Sequence, residues 1–241
     1  LESESVRQLY DRYVSTFKPE NATLTAAELA HYYQWCNARY LPFLKDVPKS
    51  APILEIGCGH GRMLQYLHQK GFQNVIGIDI SLEQIELATK SGLNAECADV
   101  FEYLHGTEGA FDCIIAIDVV EHFTKQELLR LFDLISRSLT RNGMLLLQTV
   151  NGEGLFPGQI IYGDLTHETI LTPGSMKQLL TVSGFRTARF AECAPVANGV
   201  TGIVRSMLWR AIRFGADLAR LIEVRKTQDI WTENFICSAK K

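Results

Sequence analysis

The sequence predicts an α/β domain: a mostly parallel sheet covered by helices on both faces, with helices in front of it and a late helical insertion. Three observations carry that reading. From Pro52 to Val150, short apolar runs alternate with amphipathic stretches. The stretches between runs are too long for the tight turns that antiparallel hairpins use. And 241 residues, 46 % hydrophobic and 21 % charged, suffice for one well-filled domain with appendages.

Residues 1–48 read as a helical cap or lid. Val6, Leu9, Tyr10 and Tyr13 recur at helical spacing, and a second periodic stretch runs from about Ala26 to Tyr40. Thr25, followed three residues later by Glu28, has the form of a reciprocal N-terminal cap. Pro42 and Pro48 mark a hinge before the pattern changes. In residues 49–241, Ile53 to Ile56 predicts a buried first strand, and Met63, Leu64 and Leu67 give the following helix its apolar face. Val75 to Ile80 is the second strand, followed by a helix through Ile85, Leu87 and Ala88. Asn94 to Ala98 is a weaker third strand and Phe111 to Ile117 a strong fourth. Thr124 to Leu139 repeats leucine and isoleucine at helical spacing, and Met144 to Val150 supplies a fifth strand after the Asn142-Gly143 turn. Pro173 to Val182 reads as a helix, with Phe185 to Cys193 and Trp231 to Ala239 as late strands. Between these two lies an insertion at about 198–227, carrying a helix from Gly202 toward Lys226.

Twenty-four Lys and Arg against 27 Asp and Glu leave a formal charge of −3, which argues against a globally basic nucleic-acid binder. No apolar run reaches membrane-spanning length. The opening residues LESESVRQLYDRY lack the basic and apolar regions of a secretion signal. The six cysteines, scattered among apolar neighbours, read as reduced interior residues. A cytoplasmic protein is expected, with the inner face of a membrane as an alternative location.

The stretch I53-L-E-I-G-C-G-H-G61 places Gly57, Gly59 and Gly61 between a buried strand and an amphipathic helix. Glycine there permits positive φ and brings backbone amides close to a ligand. Arg62 occupies the place of the third glycine in the usual dinucleotide fingerprint, and no Gly-Lys-Ser/Thr follows. Asp79 ends the second strand, where an acceptor can hold ribose hydroxyls, and Asp99 follows the third. Singly, each aspartate also fits an ordinary cap or turn; with the glycine turn they form a nucleoside-binding set.

Together I53-LEIGCGHG-RML, V75-IGIDIS81, A98-DV100 and F111-DCIIAIDVVEH122 resemble class I S-adenosylmethionine-dependent methyltransferases over residues 50–193. The resemblance implies a Rossmann-like, seven-stranded sheet whose last strand is antiparallel, with S-adenosylmethionine over the carboxyl ends of the strands. It assigns cofactor binding to Glu55, Gly57, Cys58, Gly59, Gly61, Asp79, Ile80, Asp99, Val100 and Asp118. It gives the ribose to Asp79 and the adenine side to Asp99. His60 departs from the pattern and receives no role.

Methylation of a hydroxyl requires a proton acceptor, and a neutral histidine suits that task. His122, after the fourth strand, and His167, in the polar loop D164-LTHET169, are the two candidates. The bland alternatives are that His122 organises its loop and that Asp164 and His167 fix theirs by bonding each other. There is no Asn/Asp-Pro-Pro-Tyr/Phe sequence and no Pro-Cys dipeptide of nucleic-acid methyltransferases. The fourth-strand V119-VEH122 with the downstream D164-LTH…LTPGSMKQLLTVSGF185 looks like small-molecule O-methyltransferases of bacterial glycans and quinone precursors. Polar Asn151, Gln159, Tyr162, Asp164 and Thr166 favour a sugar or glycan hydroxyl over a phenolic ring. A partner protein that binds S-adenosylmethionine without transfer is the alternative from another class. Asp118, Glu121 and His122 could chelate, but the resemblance implies metal-free chemistry.

From Val204 to Lys226 six basic residues face two acids, a local charge of +4. At 100° per residue Arg205, Arg210, Arg213 and Arg220 fall on one side of the helix, with Val204, Met207, Leu208, Ala211, Phe214, Leu218 and Ile222 on the other. Packing on the catalytic domain with an exposed arginine face, homodimer formation, and peripheral docking to anionic lipid all fit this pattern. Tyr10, Tyr13, Tyr32, Tyr33 and Trp35 are expected to cover the donor site.

Overall fold

The computed structural model describes residues 25–241. The expected helix through Val6, Leu9, Tyr10 and Tyr13 lies outside the described residues. The first described helix is α1 (Ala26–Arg39), opened by the Thr25/Glu28 capping box read from the sequence. Pro42, expected to mark a hinge or linker, sits in the first turn of the short α2 (Leu41–Leu44), where its missing N–H costs nothing.

The alternating pattern then unfolds as β1 (Ile53–Ile56), α3 (Arg62–Gln69), β2 (Val75–Asp79), α4 (Leu82–Lys90), β3 (Ala95–Cys97), α5 (Val100–Leu104) and β4 (Phe111–Ile117). After a single 3₁₀ turn at Val120–His122 come α6 (Lys125–Ser138), β5 (Leu139–Val150), α7 (Gly158–Tyr162), α8 (Pro173–Val182), β6 (Thr187–Glu192), α9 (Gly199–Val224) and β7 (Asn234–Lys240). Among the described residues the expected strands and long helices are present, most with bounds shifted by a few residues. The short α5 and α7 escaped the periodicity because five residues span little more than one turn.

The sheet runs β3-β2-β1-β4-β5-β7-β6. β1 to β5 pair in parallel and β7 inserts antiparallel between β5 and β6. β5 starts earlier than expected: Leu139 already pairs with Phe111, and the register resumes at Cys113 with Met144, so Asn142-Gly143 lies in a bulge.

Two apolar clusters cover the sheet, as the even and odd residues of its strands point to opposite sides. Leu54, Ile56, Ile114, Leu145 and Leu147 join Leu128, Phe132 and Ile135 of α6. Ile53, Cys113, Ile115 and Leu146 join Leu64, Tyr66 and Leu67 of α3 and Cys36, Tyr40 and Leu44 from α1 and its sequel. The N-terminal helices therefore extend the second core. All six cysteines are free; Cys97, expected inside, is exposed because edge strand β3 has no neighbour beyond it.

Candidate functional site

The carboxyl ends of β1, β2 and β4 open into a cavity of about 920 Å³, the place where ligands bind open parallel sheets. Of the expected cofactor-binding residues, Glu55, Gly57, Cys58, Gly59, Asp79, Ile80, Asp99, Val100 and Asp118 line it, together with His60, Tyr32 and His122, while Gly61 is not part of the lining. His167 is absent from this lining.

The glycine turn is shaped by real constraints. Gly57, Gly59 and Gly61 have φ of 68°, 53° and 87°, the left-handed region that side chains disfavour. A Cβ on Gly57 would stand 2.3 Å from Val119 Cγ2, and one on Gly61 2.3 Å from Leu93 Cδ1. Gly59 has room, so only its φ demands glycine. The turn is stapled to β2: Cys58 N–H donates to Ile78 O at 3.0 Å and Gly59 N–H to Asp79 Oδ2 at 2.8 Å. Asp79 Oδ1 accepts from Ser81 N–H at 2.9 Å. Burial raises the Asp79 pKa while its backbone donors oppose that rise. Gly77, in V75-IGIDIS81 but without an expected role, makes room for the turn: a Cβ there would press within 2.7 Å of the Cys58 side chain.

Glu55 is buried, and its Oε2 has no hydrogen-bond partner. Burial, then the nearby Asp79, push its pKa well above the usual carboxylate range. A buried acceptor left over beside a cradle that any Cβ would fill fits a polar ligand seated on the turn. Asp99 caps α5, its Oδ1 accepting from Phe101 and Glu102 N–H at 2.8 and 3.1 Å. The ordinary-cap reading of Asp99 therefore holds, and the same residue lines the cavity. Phe101 and Phe123 meet edge to face with centroids 5.7 Å apart, an aromatic wall on Asp99's side that the motifs did not mark. His60 meets Gln84 Oε1 at 3.2 Å.

Asp118 adopts φ 54°, unusual for a residue with a side chain, at the end of β4. Both its carboxylate oxygens accept from Gln148 Nε2, at 3.0 and 3.1 Å. Gln148 Oε1 in turn accepts from Tyr40 Oη at 3.0 Å, tying β4, β5 and the cap together. No sequence motif singled out Gln148, because its partners come from distant segments.

The polar loop after β5 folds back onto the 3₁₀ turn: Glu168 and Thr169 N–H donate to Glu121 O at 2.9 and 3.0 Å. That docking brings the His122 and His167 rings to a centroid separation of 5.0 Å. Asp164 Oδ1 accepts from the Thr166 hydroxyl, so that hydroxyl accepts from His122 Nδ1 at 2.9 Å. His122 Nδ1 also faces Thr166 O at 3.2 Å, and His167 Nδ1 faces Ile161 O at 3.3 Å. Carbonyl acceptors place the proton on Nδ1 of each ring and the lone pair on Nε2. Where the sequence suggested Asp164 bonding to His167, a chain runs instead from Asp164 through Thr166 to His122, and His167 Nδ1 faces Ile161 O. Buried Glu121 accepts from Thr149 Oγ1 at 2.9 Å, and burial followed by Asp118 raises its pKa to about 8. Ligand atoms of Glu121, His122 and His167 lie within 4.8 Å of one another, close enough to surround a small cation.

Two expected acceptor contacts are corrected. Asn151 is fully buried, donating to Thr232 O at 2.9 Å and accepting from Glu153 N–H at 3.0 Å. Thr166 is buried and engaged by Asp164 and His122. The aromatics of α1 divide: Tyr32 lines the donor cavity, Tyr33 packs on Tyr66, and Trp35 lines a second cavity of about 470 Å³ with Arg39, Asn198 and Arg205. Tyr10 and Tyr13 lie outside the described residues.

A sequence model of the methyltransferase domain matches residues 28–188. The chain belongs to that family. Its cofactor is S-adenosylmethionine, which the glycine cradle, the buried Glu55 acceptor and Asp79 fit. The methyltransferase domain superposes on an S-adenosylmethionine-dependent methyltransferase from Archaeoglobus fulgidus with a TM-score of 0.66 at 22 % identity, covering 88 % of this chain and 94 % of that one. It is 26 % identical over 101 residues to a cyclopropane-fatty-acyl-phospholipid synthase of Escherichia coli, covering 42 % of this chain and 26 % of the relative. Over 121 residues it is 34 % identical to a probable (S)-tetrahydroprotoberberine N-methyltransferase of Papaver bracteatum, covering 46 % of this chain and 31 % of the relative. The chain thus spans about a third or less of those curated relatives, whose names point to different acceptors.

Proposed function

We propose that the protein methylates a hydroxyl of a small molecule, with a sugar or glycan intermediate as the favoured acceptor class. The observation that supports this most is the histidine pair: His122 lines the donor cavity, the His167 ring lies against that of His122, and each turns its Nδ1 to a backbone carbonyl, which in the neutral ring leaves Nε2 as the acceptor. When bound, S-adenosylmethionine supplies a methyl carbon made electrophilic by its sulfonium. Glu55, the glycine turn, Asp79 and Asp99 hold it. The acceptor hydroxyl would take the methyl group, and its proton would pass to imidazole. His122 takes that proton in this reading, with His167 beside it, whereas the sequence left the two equivalent. Positioning the base before reaction supplies much of the rate, since a placed general base contributes about 10²–10⁴-fold. Tyr32 from α1 closes one side of the cavity, a lid that excludes water.

The hydroxyl reading fits a neutral base better than amine methylation does, because an amine whose lone pair is already available needs no partner to strip a proton in the same step. The glycan preference now rests on Gln159, Tyr162 and Asp164, the polar loop residues that remain at least partly accessible. Single-turnover transfer to a panel of sugar, phenolic and amine acceptors tests it, with and without chelator. Transfer to a hydroxyl that His122→Ala reduces by about 10²–10⁴-fold with donor affinity intact is the expected result. Transfer confined to amines, or abolished by chelator and restored by a divalent ion, would overturn respectively the acceptor class and the metal-free histidine role.

A further inference from the structure

Helix α9 is built inside out. Its 26 residues, about 39 Å of helix, contain no buried residue. The side half-buried against the body carries Ser206, Trp209, Arg213, Asp217 and Arg220. Those contacts are polar: Arg213 pairs with Glu192 at 2.9 Å, Trp209 Nε1 reaches the same carboxylate at 3.5 Å, and Trp231 Nε1 donates to Asp217 at 3.0 Å. The side turned to solvent is apolar along its whole length, with Val200 80 %, Met207 64 %, Phe214 73 % and Ile222 76 % exposed. The sequence pattern of two faces is correct, but the exposed arginine face is not. Arg213 turns toward the body to pair with Glu192, and half-buried Arg220 shares that side, leaving the apolar face exposed.

A continuous apolar face of this length marks an interaction surface rather than scattered surface hydrophobics. No helix among the described residues is long and apolar enough to cross a membrane, so α9 can only lie along one. Its margins are basic: Arg210 is exposed beside the apolar face, and Arg225 and Lys226 follow its C-terminal end. Six basic residues less two acids give residues 204–226 a charge of +4 in a chain of −3. A second copy seated face to face would bring that positive segment against itself, since a two-fold contact pairs the same patch. An anionic bilayer complements it.

We infer that α9 docks the protein in the plane of an anionic membrane surface, its apolar face among the acyl chains and its basic margins at the headgroups. The inference does not depend on which acceptor is methylated, and these residues lie outside the donor cavity.

Co-sedimentation of the full chain with phosphatidylcholine vesicles and with vesicles containing phosphatidylglycerol tests it. Binding should appear with the anionic lipid and weaken with salt. Met207→Ser, Phe214→Ser and Ile222→Ser together should weaken it at least about tenfold, because three apolar side chains leave the lipid. Arg210→Gln, Arg225→Gln and Lys226→Gln together should weaken it by about fivefold per charge. Circular dichroism and S-adenosylmethionine affinity should be unchanged in both variants, which separates failure of docking from failure of the donor site. No binding, binding indifferent to either variant, or equal binding to neutral vesicles overturns the inference. So does a parent protein that is dimeric by light scattering and becomes monomeric in the serine variant without ever binding vesicles, which would assign the face to self-association.

Discussion

Gly57→Ala separates the two demands that the donor turn places on one residue. The substituted Cβ would stand 2.3 Å from Val119 Cγ2, and the backbone is held at φ 68°. Holding an L-residue in the left-handed region costs about 1–2 kcal/mol. Forcing a methyl into filled space adds about 1–3 kcal/mol. The expected destabilisation is therefore roughly 2–5 kcal/mol. The clash can be removed independently, because Val119 belongs to the segment after β4 rather than to the turn. In a Val119→Ala background, Gly57→Ala should cost only the backbone share, about 1–2 kcal/mol. The double variant should then be more stable than the sum of the single changes by about 1–3 kcal/mol. Urea unfolding of the four proteins measures this cycle, and calorimetry with S-adenosylmethionine follows the site. Displacement of the Cys58 and Gly59 amides should weaken the donor at least about tenfold in Gly57→Ala, with partial recovery in the double variant. A Gly57→Ala protein within about 0.5 kcal/mol of the parent, or additivity with Val119→Ala, would refute the reasoning.

Three further outcomes are expected. Asp79→Asn, which preserves shape, should weaken S-adenosylmethionine by about 10–100-fold through loss of charged hydrogen bonds; calorimetry showing unchanged affinity would remove Asp79 from ribose binding. For Glu121, the folded pKa of about 8 lies above the 4.5 of an unperturbed carboxyl, so the native state binds more protons than the unfolded state between those values. Stability should fall as pH rises from 4.5 to 8, by about 4 kcal/mol from this group, and Glu121→Gln should flatten that decline in thermal melts; parallel profiles for the two proteins would contradict the burial argument. His167→Ala should slow single-turnover transfer less than His122→Ala does, because His122 lines the donor cavity; the reverse order would return the base to His167.

What was legible in the sequence was whatever chain neighbours decide among themselves. β1, β4 and α8 appear with the bounds that their apolar runs and caps indicated, since hydrophobic period and capping act over a few residues. The donor side was legible for the same reason: the glycines and Asp79 follow strand ends, and strand ends of a parallel sheet converge on one edge. The acceptor side depended on tertiary structure. His122 and His167 are 45 positions apart, and only the loop docking on Glu121 O brings them together. Asn151 looked available for a ligand until the segment before β7 supplied the carbonyls that absorb it. Gln148 carries no motif and Gly77 drew no role within V75-IGIDIS81, yet one braces Asp118 and the other admits Cys58. In α9 the sequence determined which residues share a face, because that is helix geometry. Which face turned inward was decided by Glu192 and Trp231 on other segments, which engage Arg213 and Asp217 and leave the apolar side outside.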